Sequence, residues 1–204
     1  MTIRPSGIAA LNFIEPCLPC ISLLPPSGQD WLHEVKHDGL RLLVRRDASG
    51  VKLFNALGDD WTKKLPTIAE AVALLPAKSC IIDGEVAGVD ADGKILPTDI
   101  LPTQLRGDVS ADEIGVTLHA FDLIEVNGFD VRRDPVEERK RALSKLLTRA
   151  PASLRFNPSF DHEGEAVFRQ ACLMGFSGIV SKRRGSRYLS GRCAHWVFTK
   201  NLDS

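Results

Sequence analysis

The chain has no excess of either charge: 26 Lys and Arg balance 26 Asp and Glu across 204 residues. Its overall field therefore does not announce a nucleic-acid partner. It also has no apolar run near the ~20 residues that span a bilayer, so no membrane role is expected. The first residues lack the charged-then-apolar layout of an export signal. Five cysteines, an odd number, suit reduced thiols in the cytoplasm better than a disulfide framework. Cys17 and Cys20 stand two residues apart with no second pair at zinc-ligand spacing, which excludes a zinc finger. No internal repeat and no regular βαβ alternation are present.

What remains is a succession of short strand-like runs around a few helices. Residues 1–30, rich in Pro, Ser and Gly, read as an extended lead-in. Strands are predicted at Trp31–Lys36, Leu40–Arg46, Val51–Phe54, Cys80–Ile82, Val86–Val89, Val116–Val126, Gly178–Lys182 and His195–Thr199. Turns are expected at Asp38-Gly39 and around Asp83-Gly84-Glu85. Apolar residues at helical spacing predict helices over Ile68–Leu75, after Asp134-Pro135, and over Glu165–Met174. Residues 91–113 read as a polar, irregular loop. The expectation is an α+β domain of mostly antiparallel sheets with flanking helices.

Six charged residues interrupt or border the apolar runs: Lys36, Asp38, Glu85, Asp122, Lys182 and Lys200. Mixed signs in strand positions point to one shared polar site, because lone buried charges are costly. Lysines beside carboxylates suit a polyphosphate with a divalent metal: cations neutralise phosphate oxygens and carboxylates hold the ion. A lysine among apolar neighbours also loses its proton more readily and becomes a nucleophile. A separate basic stripe, Arg183, Arg184, Arg187 and Arg192, can take phosphates of a backbone.

In this order the elements resemble the nucleotidyltransferase domain of ATP-dependent DNA ligases and mRNA-capping enzymes, an ATP-grasp-like fold. Lys36-His37-Asp38-Gly39-Leu40-Arg41 is similar to the Lys-x-Asp-Gly-x-Arg adenylation motif, and Asp83-Gly84-Glu85 to the carboxylate motif. Phe121-Asp122, Gly178 to Lys182, and Trp196 to Lys200 resemble the later motifs. Phe13-Ile14-Glu15-Pro16 and the Tyr188 to Arg192 loop resemble bacterial ligases of the end-joining type.

The resemblance implies that Lys36 attacks the α-phosphate of ATP, expelling pyrophosphate and forming lysyl-AMP. It implies Glu34 near the adenine, Phe121 stacked on it, and Arg41 and Glu85 at the ribose and metal. Lys182 and Lys200 would hold the α-phosphate, and Glu85 with Asp38 would hold Mg²⁺ or Mn²⁺. AMP would then pass to a 5′-phosphate of nicked or broken DNA, in a bacterial cytoplasm and at the nucleoid. The adenylation domain would span 31–204 without the oligonucleotide-binding domain that usually follows, so a separate DNA-binding or end-joining protein could replace it.

Three positions depart from the family pattern: Ala56 for an arginine, Ser177 for a carboxylate, and Phe198 for a lysine. Each lost group costs ~10²–10³ in rate, or ~10⁶–10⁹ if all combined fully, although groups acting as a unit are not additive. Arg183 or Arg184 could supply the missing cations, and Asp59 or Asp60 the acid. Two other readings stay open here: a nucleotide- or DNA-binding module without turnover, and an RNA ligase or capping-type transferase.

Overall fold

The computed structural model describes residues 13–89 and 115–202; the loop expected at 91–113 lies outside them. Among these described residues ten strands form two sheets. They are β1 (Cys17–Ser22), β2 (Trp31–Val35), β3 (Leu40–Asp47), β4 (Gly50–Asn55), β5 (Cys80–Val89), β6 (Gly115–Val126), β7 (Phe129–Asp130), β8 (Leu154–Phe156), β9 (Gly178–Arg183) and β10 (Gly191–Lys200). The first sheet runs β1-β10-β9-β2. The second runs β4-β3-β5-β6-β7, with β8 beside β6. Only the β1–β10 and β6–β8 pairs are parallel, so the α+β, mostly antiparallel expectation holds. The lead-in segment supplies β1, which pairs with the last strand.

Among the described residues three α-helices accompany the sheets: α1 (Pro66–Ala73), α2 (Val136–Leu146) and α3 (Gly164–Leu173). Proline at the start of α1 suits a position whose N–H has no helical partner. Ile68, Ala71 and Val72 of α1, with Leu143 and Leu146 of α2, close the main core against Leu42, Val44, Ile82 and Leu123 of the larger sheet. A second, smaller core lies between the sheets. There Ile14, Cys17, Leu43, Ile81, Ile124, Tyr188, Cys193 and Trp196 meet. Among the described residues no helix is long and apolar enough to cross a membrane.

Two turn expectations are corrected. Asp38-Gly39 is not a hairpin turn, because β2 and β3 belong to different sheets and the segment passes between them. Gly39 is needed there for close approach: a Cβ would lie 2.0 Å from the Val86 carbonyl oxygen. Asp83-Gly84-Glu85 does not break a strand either; β5 runs unbroken for 10 residues. Its pairing with β6 shifts register between Asp83 and Gly84, and a Cβ on Gly84 would meet Leu118 at 2.8 Å. A glycine read as a turn signal is here a contact between backbones.

Candidate active site

The passage from β2 to β3 opens onto a cavity of about 190 Å³ where the two sheets face each other. Lys36 follows the last residue of β2. Its N–H donates to the Gly178 carbonyl at 2.9 Å, and its carbonyl accepts from Ser177 Oγ at 3.3 Å. Its backbone is thus held by the residues that lead into β9. The ammonium donates to the His37 carbonyl at 2.7 Å and pairs with Glu85 Oε1, which also accepts from the Gly39 N–H at 3.2 Å. The sequence expectation of a buried lysine is corrected: the side chain is 29% exposed and faces a carboxylate. Burial pushes the Glu85 carboxyl above its ordinary range, against the opposing pull of Lys36 and Arg41.

Glu34, Arg41, Phe121 and Lys182 also line the cavity, as expected of a shared site. Their pairing differs from the expectation in detail. Arg41 is held by Asp83 through Nε at 3.1 Å and Nη2 at 2.7 Å, and Tyr188 donates to the same carboxylate at 2.7 Å. Lys182 is buried, with its ammonium 3.0 Å from both Glu34 Oε1 and the Phe121 carbonyl. It also sits 4.1 Å from the Trp196 ring and 4.8 Å from the Phe121 ring. In this arrangement Lys182 ties two walls of the cavity together while lining it. Lys140 of α2 reaches the same Glu34 oxygen at 2.8 Å, and burial lowers its affinity for a proton.

Other expected members lie elsewhere. Asp122 is fully buried behind the wall and paired with Arg139, because α2 packs an arginine against β6 there. Lys200 is exposed at the end of β10, on the same face as Trp196 and opposite Gly178, but does not line the cavity. Asp38 does not line it either. Among the described residues no three His, Cys, Asp or Glu side chains cluster as a metal site. Glu85 and Glu34 are the carboxylates of the wall, which suits an ion such as Mg²⁺ that takes most ligands from phosphates and water.

The suggested substitutes for the departed groups are also placed elsewhere. Arg184 pairs with Asp161 and donates to the Gln29 carbonyl, whereas Arg183, Arg187 and Arg192 are exposed. Asp59 accepts from Asn55, and Asp60 pairs with Lys52. Ala56 is exposed in the turn after β4.

His37 and Asn157 line the cavity without having stood out in the sequence. His37 lies inside the lysine motif, whereas nothing local marks Asn157. The His37 ring stacks on His119 at 3.7 Å and 17°. Burial, then His37 and Arg155, lower the His119 pKa to about 3. A histidine that stays neutral when folded but protonates near 6.5 when unfolded stabilises fully above that pH and progressively less as pH falls towards 3. His119→Phe keeps an aromatic partner for His37. It should flatten the loss of unfolding free energy between pH 7 and pH 4 by about 2 kcal/mol, discounted for partial exposure and read by urea titration at each pH.

This geometry agrees with the comparisons. Residues 19–200 match the ATP-dependent DNA ligase domain family. The multifunctional non-homologous end joining protein LigD of Pseudomonas aeruginosa is 33% identical over 190 residues, which are 93% of this chain and 22% of that protein. A DNA ligase of Methanothrix thermoacetophila is 31% identical over 175 residues, 83% of this chain and 32% of that one. A mycobacterial DNA ligase D complexed with ATP and MES superposes with a TM-score of 0.76 at 28% identity, covering 93% of this chain and 61% of that one. The chain therefore spans about a fifth to a third of the length of these two curated relatives. A lysine facing a cavity walled by two carboxylates and two aromatics, in a fold that superposes on an ATP-bound ligase, accounts for the match: the chain belongs to the ATP-dependent DNA ligase family, as its adenylation (nucleotidyltransferase) domain.

Proposed function

We propose that this chain forms lysyl-AMP on Lys36 from ATP and passes the AMP to a 5′-phosphate at a DNA break. The observation that carries the reading is the Lys36–Glu85 pair at a cavity walled by Glu34 and Phe121. The lysine nitrogen attacks the α-phosphorus, a P–N bond forms, and the P–O bond to pyrophosphate breaks. The ammonium must first give up a proton, and Glu85 Oε1 is the acceptor already in contact with it. Its burial makes it a stronger base than a solvated carboxylate. Glu34 gives Oε1 to the two lysines, while Oε2 has only a 3.4 Å contact with Asn157, leaving it open to an amino donor such as that of adenine. Phe121 offers an aromatic wall for the base.

A divalent ion arriving with the triphosphate would be held by Glu85 and would screen its negative charge. Lys200, at the exposed end of β10, would meet the phosphates, and Lys182 would keep Glu34 oriented. Arg183, Arg187 and Arg192 would contact the DNA backbone. A separate DNA-binding or end-joining protein would complete the grip on broken ends in a bacterial cytoplasm, at the nucleoid. Ala56, Ser177 and Phe198 would slow the reaction.

The test is incubation with ATP labelled at the α- or the γ-phosphate, with Mg²⁺ or Mn²⁺. Acid-labile label should come from the α position alone. A folded chain that takes none with either metal sinks the enzymatic reading. A second reading, a nucleotide- or DNA-binding module without turnover, is favoured by one feature: Arg41 and Lys182, the other cations of the wall, both carry carboxylate partners. It predicts ATP binding by calorimetry with no covalent label.

A further inference from the structure

We infer that Asn157 is the positioning residue for Lys36, holding the residues on either side of it through one buried amide; this rests on the reading of Lys36 as the nucleophile. Asn157 follows β8 and is 3% exposed. Its N–H donates to the Ala120 carbonyl at 2.8 Å, and its own carbonyl accepts from Lys140 at 2.9 Å. The main chain of Asn157 is thus anchored to β6 and to α2, neither of which carries the lysine.

The side chain reaches across to β2. Nδ2 lies 3.2 Å from the Val35 carbonyl and 3.4 Å from Glu34 Oε2, and Oδ1 lies 3.1 Å from His37 Nε2. Both groups facing Nδ2 are acceptors only, so the amide has one workable orientation. Oδ1 must then accept, and His37 must carry its proton on Nε2. One side chain in this way ties residues 34, 35 and 37 to a separate part of the fold. The separation in sequence from His37 is 120 residues.

The ring so fixed is stacked on His119 and set edge-on to Phe176 at 5.5 Å. The carbonyl of the same residue accepts from the Lys36 ammonium. The lysine lies outside the ladder of β2, in the passage between sheets. Its own backbone contacts come from Ser177 and Gly178, and the β2–β9 ladder holds Val35 before it; Asn157 adds a side chain that reaches both sides of the lysine. A nucleophile displaced by about 1 Å loses on the order of 10² in rate.

The experiment separates placement from folding by measuring single-turnover AMP transfer to the protein at saturating ATP. Asn157→Ala should lower the rate constant by about 10- to 100-fold while the fraction of molecules finally labelled stays near that of the unaltered chain. A purely structural role would lower the labelled fraction and leave the rate constant alone, and that result overturns the inference. His37→Phe keeps the stack and removes only the Nε2 arm, so it serves even where Asn157→Ala folds poorly. It should slow transfer, and the double variant should be slower by less than the product of the two effects. Full multiplicativity overturns the connection.

Nitrogen NMR of the His37 ring needs no ATP. It should show the Nε2–H tautomer in the unaltered chain and its loss in Asn157→Ala. A Nδ1–H tautomer in the unaltered chain overturns the inference, whereas a correct tautomer in a chain that takes no label faults the reading of Lys36 instead.

Discussion

Lys36→Arg should abolish covalent AMP uptake, by on the order of 10⁴–10⁶ in rate, and leave the protein folded. The two side chains share a charge but not a chemistry. An ammonium that hands its proton to Glu85 exposes a lone pair, whereas a guanidinium remains protonated at any workable pH and has none to offer. The folded state has little reason to object. The lysine side chain is 29% exposed, and the Glu85 carboxylate it faces accepts a planar fork at least as well as a point charge. Unfolding free energy should therefore stay within about 1 kcal/mol of the unaltered chain, by urea titration. Residual α-label on the arginine variant would move the nucleophile to another residue.

Arg139→Met should cost about 3–5 kcal/mol of unfolding free energy. The guanidinium and Asp122 are both fully buried and joined twice, Nε to Oδ1 at 2.7 Å and Nη2 to Oδ2 at 2.9 Å. Its Nη1 also closes the Asp134 and Ser186 carbonyls at 2.6 Å and 2.9 Å. Burial alone would push the Asp122 carboxyl up; the hydrogen bonds and charge of Arg139 reverse that and hold it below the usual range.

Methionine removes the counter-charge, and Lys182 at 4.0 Å is then the near cation. The carboxyl pKa rises, so the variant is penalised most where the unfolded Asp is ionised. The deficit should be full near pH 7 and shrink as the pH falls towards the ordinary carboxylate range. Asp122→Leu in the same chain should recover much of the loss, since an apolar pair leaves no charge unanswered. A cost under 1 kcal/mol at pH 7 would show that water reaches this pair.

Asp122 also marks where reading the sequence reached its end. Its place in an apolar strand was legible, and so was the cost of burying it, but its partner was not. Arg139 stands three residues after Val136 and four before Leu143, so helical spacing puts it on the buried face of α2, yet nothing local names Asp122 as its partner. Lys36, Glu85 and Lys182 do meet at one cavity, as their motifs suggested. Lys200 and Asp38 both lie off the wall, although both sit in motifs just as recognisable. Asp83 and Glu85 share one motif on one strand and face the same side of it. Yet one carboxylate clamps Arg41 and the other faces the lysine. Asn157 carried no local signal, because its role lies in contacts 120 residues away.

The sequence by itself determined the kinds of element, their order, and the motifs that place this chain among ligase adenylation domains. Helical and strand periodicities are local, written in residues two to four positions apart, and they survive without a partner. The tertiary structure decided which charges converge and which neutralise each other out of sight. It also turned Asp38-Gly39 from a supposed hairpin into a bridge between sheets. The physical reason is that periodicity states which face of a strand is apolar and is silent on which strand lies beside it. A buried charge is settled by whichever opposite charge the packing delivers within about 3 Å, and only the assembled sheets make that delivery.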